Sequence, residues 1–475
     1  MANVPKEIFR AYDIRWKVAV ENPQITPRVA GLVGQGYGTY VQRTFGIERV
    51  FVGSDNRLSS PPLKAALIEG LGSTGLHVTD IGDVMTPTVY FAAAQYGAKA
   101  GGIQITGSHL TLEFNGIKMA YGKLALSGEQ IQAILALIQI DDYIQKPGTL
   151  DTDFDMVHTH MAAIAGKVHF GTRRLKVVVD AGNGLSGSFL PAVYESLGVE
   201  VIRLYCEPDG TFPNHMPNPE DPTTTHDLEK MVVDQHADLG IAFDGDADRC
   251  GIIDEHGQHI AADRLLALLA RDLLIRHPGA EVIFDVKASQ ALFDEIKNHG
   301  GLPVMWKSGH SLMKAKMALD GALLGGEVSG HLFIGEDYYG FDDAGLVSLK
   351  ILEIFSKTDQ TVSAAFATIP KFVATPEIIM FAPDDLKFGA IDAIKATLTK
   401  TYPVNDIDGA RAAFPNGWGL VRASNTQPAI TMRFEADTRP HVVEYMHTFR
   451  DLLAPYPAIA TAELDQQIAA FSAPE

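Results

Sequence analysis

The sequence predicts an α/β protein made of three similar units in tandem, closed by a smaller α+β module. Short runs rich in Val and Ile end abruptly in Gly, Asp or Lys and lead into helix-like segments, which is the texture of α/β architecture. The clearest are RVFVGSDNR (49–57), LKVVVDAGNG (175–184) and EVIFDVKAS (281–289). Their strand ends at Asp55, Asp180 and Asp285 recur at intervals of 125 and 105 residues, the spacing three related units would produce. Beyond about residue 370 the texture changes. The alternating segments FVATPEIIM, GLVRASNT and AITMRFEA there predict an antiparallel sheet with helices.

Within the first unit, PPLKAALIEGLGSTG (61–75) sets Leu63, Leu67 and Leu71 four apart on one helical face, and the strand-like HVTDIGDV follows. That order is a βαβ crossover. A polar linker, IQKPGTLDTDF (144–154), is expected to close the first domain, and a turn at EHGQ (255–258) the second. KTDQTV (357–362) precedes the last change of texture. The expected domains are therefore 1–150, 151–256, 257–369 and 370–475. No low-complexity segment or short-period repeat interrupts them.

At 475 residues and 51.4 kDa the chain is too long for one core. Its 39 Lys and Arg against 58 Asp and Glu give a net charge of −19, which disfavours binding to nucleic acid or an anionic membrane. An anionic substrate must be caught by local cations. Two cysteines, Cys206 and Cys250, cannot organise a disulfide framework or a Cys-rich zinc site, and a reducing compartment fits best. The start MANVPKEIFR has no apolar signal segment, and the apolar stretch 261–275 is broken by Asp263, Arg264, Arg271 and Asp272. The expected location is the cytoplasm.

Four short constellations carry chemistry. FDGDADR (243–249) sets Asp244, Asp246 and Asp248 on alternating positions after the apolar LGIAF. In an extended loop the three carboxylates share one side, and their repulsion calls for a cation. Oxygen ligands favour Mg²⁺ or Ca²⁺ over zinc. A calcium loop of the EF-hand type competes, with Glu255 at its twelfth position, but Arg249 occupies the sixth, where that loop needs glycine. Mg²⁺ is the better fit, with a plain acidic hairpin as the remaining alternative. Because Mg²⁺ usually keeps a position for a phosphate oxygen, the other motifs are read for phosphate chemistry.

GIQITGSHLTLEFNGIKMA (102–120) presents Ser108 and His109 in a Gly-containing turn, with Asn115, Gly116 and Lys118 downstream. A serine on a tight turn beside a metal serves as nucleophile or phosphate carrier, although alone it reads equally as a turn residue. GGEVSGH (325–331) puts Glu327, Ser329 and His331 on one loop able to accept from sugar hydroxyls and move a proton; a polar surface loop is the alternative. LVRASNTQPAITMRFEA (420–436) groups Arg422, Ser424, Asn425 and Thr426 and adds Arg433. A guanidinium, hydroxyls, an amide and loop N–H groups suit a terminal phosphate, and a capped turn is the competing reading.

These four loops in this order, with the start IFRAYDIRW (8–16), resemble the α-D-phosphohexomutase superfamily, most closely its bacterial phosphomannomutase/phosphoglucomutase branch. The resemblance covers essentially the whole chain. It implies three related mixed α/β domains and a C-terminal α+β domain around a central cleft. It implies that Ser108, flanked by His109, carries a phosphoryl group, and that Mg²⁺ bridges it to Asp244, Asp246 and Asp248. Hexose 1- and 6-phosphates of mannose or glucose are the implied substrates, with glucose 1,6-bisphosphate as intermediate and activator. Proton transfer and charge stabilisation fall by position to Arg15, Lys118, Arg249, His310 and His331. Tyr12 and Lys287 join Glu327, Ser329, Arg422, Ser424, Asn425, Thr426 and Arg433 in holding substrate. The expected assembly is a monomer or dimer.

Two departures stand out. Leu110 and Thr111 follow Ser-His where the family carries Asn-Pro, and Trp16 replaces the glycine after the matching arginine, Arg15. Loss of a residue that fixes φ and of one that caps a turn is expected to loosen the serine loop. Phosphoglucosamine mutase is the alternative within the superfamily; a sugar-phosphate binding protein without turnover and a metal-dependent phosphatase are more distant ones. The pair His158 and His160 is a weak candidate for a metal, Cys250 reads as a small buried residue, and Trp306 and Trp418 read as packing anchors.

Overall fold

The computed structural model describes residues 4–18, 21–424 and 428–473. The strands of the first sheet are β1 (Ile14–Lys17), β2 (Arg49–Ser54), β3 (His77–Asp83), β4 (Ala100–Ile105), β5 (Phe114–Tyr121), β6 (Leu124–Ala125) and β7 (Thr149–Thr152), and its order is β1-β5-β4-β2-β3-β7. The second contains β8 (Lys176–Asp180), β9 (Glu200–Leu204), β10 (Leu239–Phe243), β11 (Cys250–Asp254) and β12 (His259–Ile260) in the order β12-β11-β10-β8-β9. The third contains β13 (Glu281–Asp285), β14 (Leu302–Trp306), β15 (Leu324–Gly326) and β16 (Leu332–Ile334) in the order β14-β13-β15-β16.

One pattern underlies all three. A Val/Ile-rich strand (β2, β8, β13) lies between two parallel neighbours, the strand that follows it in sequence (β3, β9, β14) and the next one (β4, β10, β15). An antiparallel return strand (β5, β11, β16) then adds outside. Parallel pairing demands crossovers, supplied first by the helices Ser60–Gly72, Ser186–Ser196 and Gln290–Asn298. Leu63, Leu67 and Leu71 are all buried, as their spacing predicts. Each such side chain contributes roughly 1.5–3 kcal/mol of burial.

Two expected boundaries differ from the structure. The polar stretch 144–154 includes β7, which pairs with β3 through His77↔Thr149 to Asp80↔Thr152. All four β7 residues are exposed, so this edge strand has no alternating pattern to betray it. The turn at 255–258, with Gly257 at φ +76°, is a hairpin inside the second sheet, because β12 continues the pairing on β11.

The last sheet is antiparallel, as predicted. It consists of β17 (Val373–Ala374), β18 (Ile378–Phe381), β19 (Val404–Asn405), β20 (Ala410–Phe414), β21 (Gly417–Ala423) and β22 (Ala429–Ala436). The order is β17-β22-β21-β20-β19, with β18 also on β22. Ile378 and Met380 are buried while Ile379 and Phe381 are exposed, the period of two that one solvated face imposes. Helices Asp384–Leu398 and Arg439–Leu453 cover the other face.

The first unit has a core of its own, whereas the second and third share one continuous core that also takes in Met85, and a smaller cluster packs Phe51, Tyr90 and Phe91 of the first unit against Met156, Val157 and Phe341. His160 reinforces that assembly: its ring nitrogens meet Thr88 at 3.0 Å and Asp343 at 2.9 Å, so it serves as a buried polar bridge. The last module is anchored by Trp418 and Leu420, packed on Val286, and by Arg411, which stacks on Trp418 and donates to the Val286 and Ala288 carbonyls. Trp418 is thus a packing anchor; Trp306 is only half-buried, with Lys316 over its ring. Among the described residues no helix is long and apolar enough to cross a membrane.

Helix Ser60–Gly72 crosses helix Pro27–Phe45 so closely that a Cβ on Gly70 would lie 2.1 Å from the Gly31 carbonyl oxygen. Gly70→Ala is therefore expected to destabilise the first unit by about 1–3 kcal/mol. Urea unfolding checks this, and an unchanged midpoint would refute the close-contact account.

Candidate active site

The repeated topology delivers three loops to one place. Ser108 lies between β4 and β5, the aspartates between β10 and β11, and Glu327 and Ser329 between β15 and β16. All leave the carboxyl ends of parallel strands, where open α/β sheets bind ligands. They meet at a cavity of about 670 Å³ whose wall includes Tyr12, Arg15, Ser108, His109, Lys118, Arg249, His310, Ser329 and His331. The last module closes it with Glu377 and Pro428. A larger cavity of about 890 Å³ at the junction with that module, beside Arg411 and Trp418, is lined by none of the predicted site residues among those described.

Ser108 is held in the left-handed region at φ +51°, unusual for a residue with a Cβ. Its Oγ donates to Asp244 Oδ2 at 2.7 Å and lies 3.1 Å from His109 Nδ1. Arg249 reaches the same oxygen at 3.4 Å and also donates to His109 Nδ1, so His109 is an acceptor there. Burial and then Arg249 hold the His109 pKa well below its ordinary value.

Asp244, Asp246 and Asp248 are fully buried, and one oxygen of each falls within 4.8 Å of the others. Asp246 Oδ1 and Asp248 Oδ1 are buried with no hydrogen-bond partner, so the loop offers unsatisfied oxygens on one side. An all-oxygen set of this kind fits a hard divalent cation. Burial, then Asp248 and Asp246, push the Asp244 carboxyl well above the carboxylate range. Lys118 donates to both Asp246, at 2.6 Å, and Asp248. Burial opposes the Lys118 charge, but the two carboxylates outweigh it and raise its pKa.

His310 and His331 stack with ring centroids 5.5 Å apart, and Tyr12 meets the His310 edge while donating to the Ser308 carbonyl. Burial first, then Lys314 for His310 and Arg249 for His331, keep both imidazoles well below their ordinary pKa. They are neutral near pH 7 and can accept protons. Arg15, on β1, pairs with Asp13 at 2.6 Å at the rim.

The sugar-recognition loop is equally organised. Glu327 Oε1 accepts from the Gly309 N–H at 2.6 Å, and Ser329 Oγ lies 2.9 Å from His331 Nδ1. Burial and then Asp285 push the Glu327 carboxyl up to about 8. Lys287 points across to Glu377 of the last module at 3.2 Å. Arg422 is held by Asp408 at 3.0 Å, and Ser424 donates its N–H to the Ala429 carbonyl. Register pairs Arg422 with Thr431 and Leu420 with Arg433, so both arginines share one sheet face. The expected contacts of Asn425 and Thr426 lie outside the described residues.

Several neighbours carried no sequence signal. Thr86 begins a helix in the first unit and donates to Asp246 Oδ2 at 2.5 Å. Asp408 accepts both from Arg422 and from the Ser308 N–H. Glu220, from the second unit, has a buried unpartnered oxygen, and burial lifts its pKa to about 8. Each reaches the site only through tertiary folding.

The four-part architecture agrees with what the chain is similar to. Four domain families match in succession: "Phosphoglucomutase/phosphomannomutase, alpha/beta/alpha domain I" over residues 6–144, domain II over 158–257, domain III over 261–372, and the C-terminal domain over 382–452. A phosphomannomutase/phosphoglucomutase of Pseudomonas putida is 43% identical over 95% of this chain and 96% of its own. A phosphoglucomutase of Neisseria meningitidis is 40% identical over 96% and 99%. The crystal structure of a phosphoglucomutase/phosphomannomutase family protein from Burkholderia thailandensis superposes with a TM-score of 0.89 at 37% identity, covering 96% of this chain and 99% of that one. With its four domains in family order and its relatives aligned almost end to end, the chain belongs to the phosphoglucomutase/phosphomannomutase family of enzymes.

Proposed function

We propose that this enzyme moves a phosphoryl group between C1 and C6 of mannose and glucose phosphates through phospho-Ser108 and a hexose 1,6-bisphosphate. The observation that carries the reading is the Ser108 hydroxyl, in a left-handed backbone conformation and bonded to Asp244 of the buried aspartate cluster, with Arg249 reaching the same oxygen and Lys118 paired to the other two carboxylates. Asp244, Asp246 and Asp248, with the Ser108 oxygen, would hold a Mg²⁺ ion, which when bound would offset the charge of the transferring phosphoryl group.

In the forward half-reaction the free hydroxyl of a hexose phosphate attacks phosphorus, the bond from phosphorus to Ser108 Oγ breaks, and the sugar bisphosphate forms. The hydroxyl proton passes to a neutral imidazole, His310 or His331, both of which border the cavity. Arg249 donates to the oxygen that carries charge as the serine leaves, and Arg15 and Lys118 add positive potential. After the bisphosphate turns over, Ser108 Oγ takes the other phosphate and the proton returns to the freed sugar oxygen. Glucose 1,6-bisphosphate consequently recharges serine that has lost its phosphate.

The phosphate that does not react needs a fixed cradle for both orientations. Arg422 and Ser424, with Asn425 and Thr426, are the proposed cradle; Arg433, Lys287 and Tyr12 complete that end of the cleft. Glu327 and Ser329 are the proposed contacts of the sugar hydroxyls. Contacts confined to O3 and O4 leave C2 unread, which admits both sugars.

Ser108→Ala is expected to lower kcat on glucose 1-phosphate and mannose 1-phosphate by about 10³-fold or more while melting like the wild type. Full turnover in that variant would end the proposal. Glu327 gives a pH prediction: a carboxyl raised to about 8 binds a proton in the folded state that the unfolded chain has released. It therefore subtracts stability progressively as pH climbs from the ordinary carboxyl value of about 4.3 towards 8. Glu327→Gln is expected to melt about 2–4 °C above wild type at pH 8, with the gap closing towards pH 4. A gap independent of pH would contradict the buried, proton-retaining carboxyl.

A further inference from the structure

We infer that Arg57 is the residue that positions the phosphoryl-carrying serine, by gathering the backbone of the 108–114 loop onto one guanidinium. Nη2 donates to the Ser108 carbonyl at 2.8 Å and to the Leu110 carbonyl; Nη1 donates to Thr111 at 2.9 Å and Phe114 at 3.2 Å. Nε faces Asp55 Oδ2 at 3.2 Å. Arg57 is 1% exposed, so its donors are committed to these carbonyls rather than to bulk water. Asp55 braces the other end, accepting from the Gly107 N–H at 3.0 Å and from the Ser60 hydroxyl. Arginine and aspartate thus pin the loop on both sides of Ser108.

The rest of the loop needs such a clamp. Ser108 sits at φ +51°, a conformation its own side chain disfavours. Leu110 and Thr111 neither fix φ nor cap a turn. The guanidinium stacks so tightly under the chain that a Cβ on Gly107 would lie 2.4 Å from Arg57 Nε. Only a planar fork donates to four carbonyls while keeping its charge beside a carboxylate; a lysine ammonium is a single point. None of the hydrogen bonds of Arg57 goes to Ser108 Oγ or to the metal-loop carboxylates, so its influence on transfer passes through the backbone.

The inference rests on the reading of Ser108 as carrier, and the experiment separates the two. Full-length wild type, Arg57→Lys and Gly107→Ala are charged with glucose 1,6-bisphosphate, their Ser108 phosphorylation is measured by intact mass, and steady-state kinetics follow on glucose 1-phosphate. Folded Arg57→Lys is expected to lose about 10²-fold in kcat, with KM within about threefold and no recovery at saturating bisphosphate. Gly107→Ala, which displaces the guanidinium without removing it, is expected to lose kcat in the same way. Folded Arg57→Lys with kcat within about threefold of wild type would overturn the clamp. If that variant does not fold, Gly107→Ala decides, and undiminished kcat there overturns it. A wild type that turns over without ever carrying phosphate on Ser108 would instead overturn the carrier reading.

Discussion

Three carboxylates and a serine hydroxyl share one buried point, and the rest of the site exists to make that tolerable. Asp244, Asp246 and Asp248 repel one another where water cannot screen them. The compensation comes from Arg249 at the next position in the same loop and, from the first unit, from Lys118 on β5 and the Thr86 hydroxyl at a helix start. Because Lys118 and Thr86 belong to the first unit and the aspartates to the second, the electrostatics of the site also tie those units together. The same concentration of charge suits phosphoryl transfer, in which the phosphate's own negative charge must be met by fixed groups and a cation.

The scaffold reaches this point through repetition. One strand order is used three times, and in the proposed mechanism the equivalent loop of each copy has its own role. In that proposal the first unit would carry the phosphoryl group, the second would bind the metal, and the third would contact the sugar. The aspartate that ends the central strand braces the functional loop in two of them. Asp55 accepts from Gly107, and Asp285 accepts from the Ser308 hydroxyl and the Val328 N–H. The last module differs in architecture and in role. It bears on the third unit through Arg411 and on the cleft through Glu377 and Pro428.

Much of this is legible in the sequence. Buried parallel strands must be runs of Val and Ile, and they must stop where the chain turns to solvent, so β2, β8, β10 and β13 stand out. The four loops are legible because their chemistry requires several polar residues within a few positions. What escapes are single residues whose meaning arises only from three-dimensional proximity. Arg57 reads as a loop arginine until four carbonyls converge on it, and Thr86, Glu377 and Asp408 are similarly ordinary in one dimension. β7 escapes for another reason, since a wholly exposed edge strand has no alternation. The loosening expected from Leu110 and Thr111 is answered by Arg57, whose hydrogen bonds reach the carbonyls of both residues.

The central claim is that Ser108 Oγ holds the phosphoryl group between the two halves of the reaction. The direct measurement is a single turnover by isolated enzyme carrying radiolabelled phosphate on Ser108, mixed with unlabelled glucose 1-phosphate and quenched over time. Label leaving the protein and appearing first in glucose 1,6-bisphosphate, then in glucose 6-phosphate, is the predicted result. Label that stays on the protein during turnover, or departs only as inorganic phosphate, would contradict it.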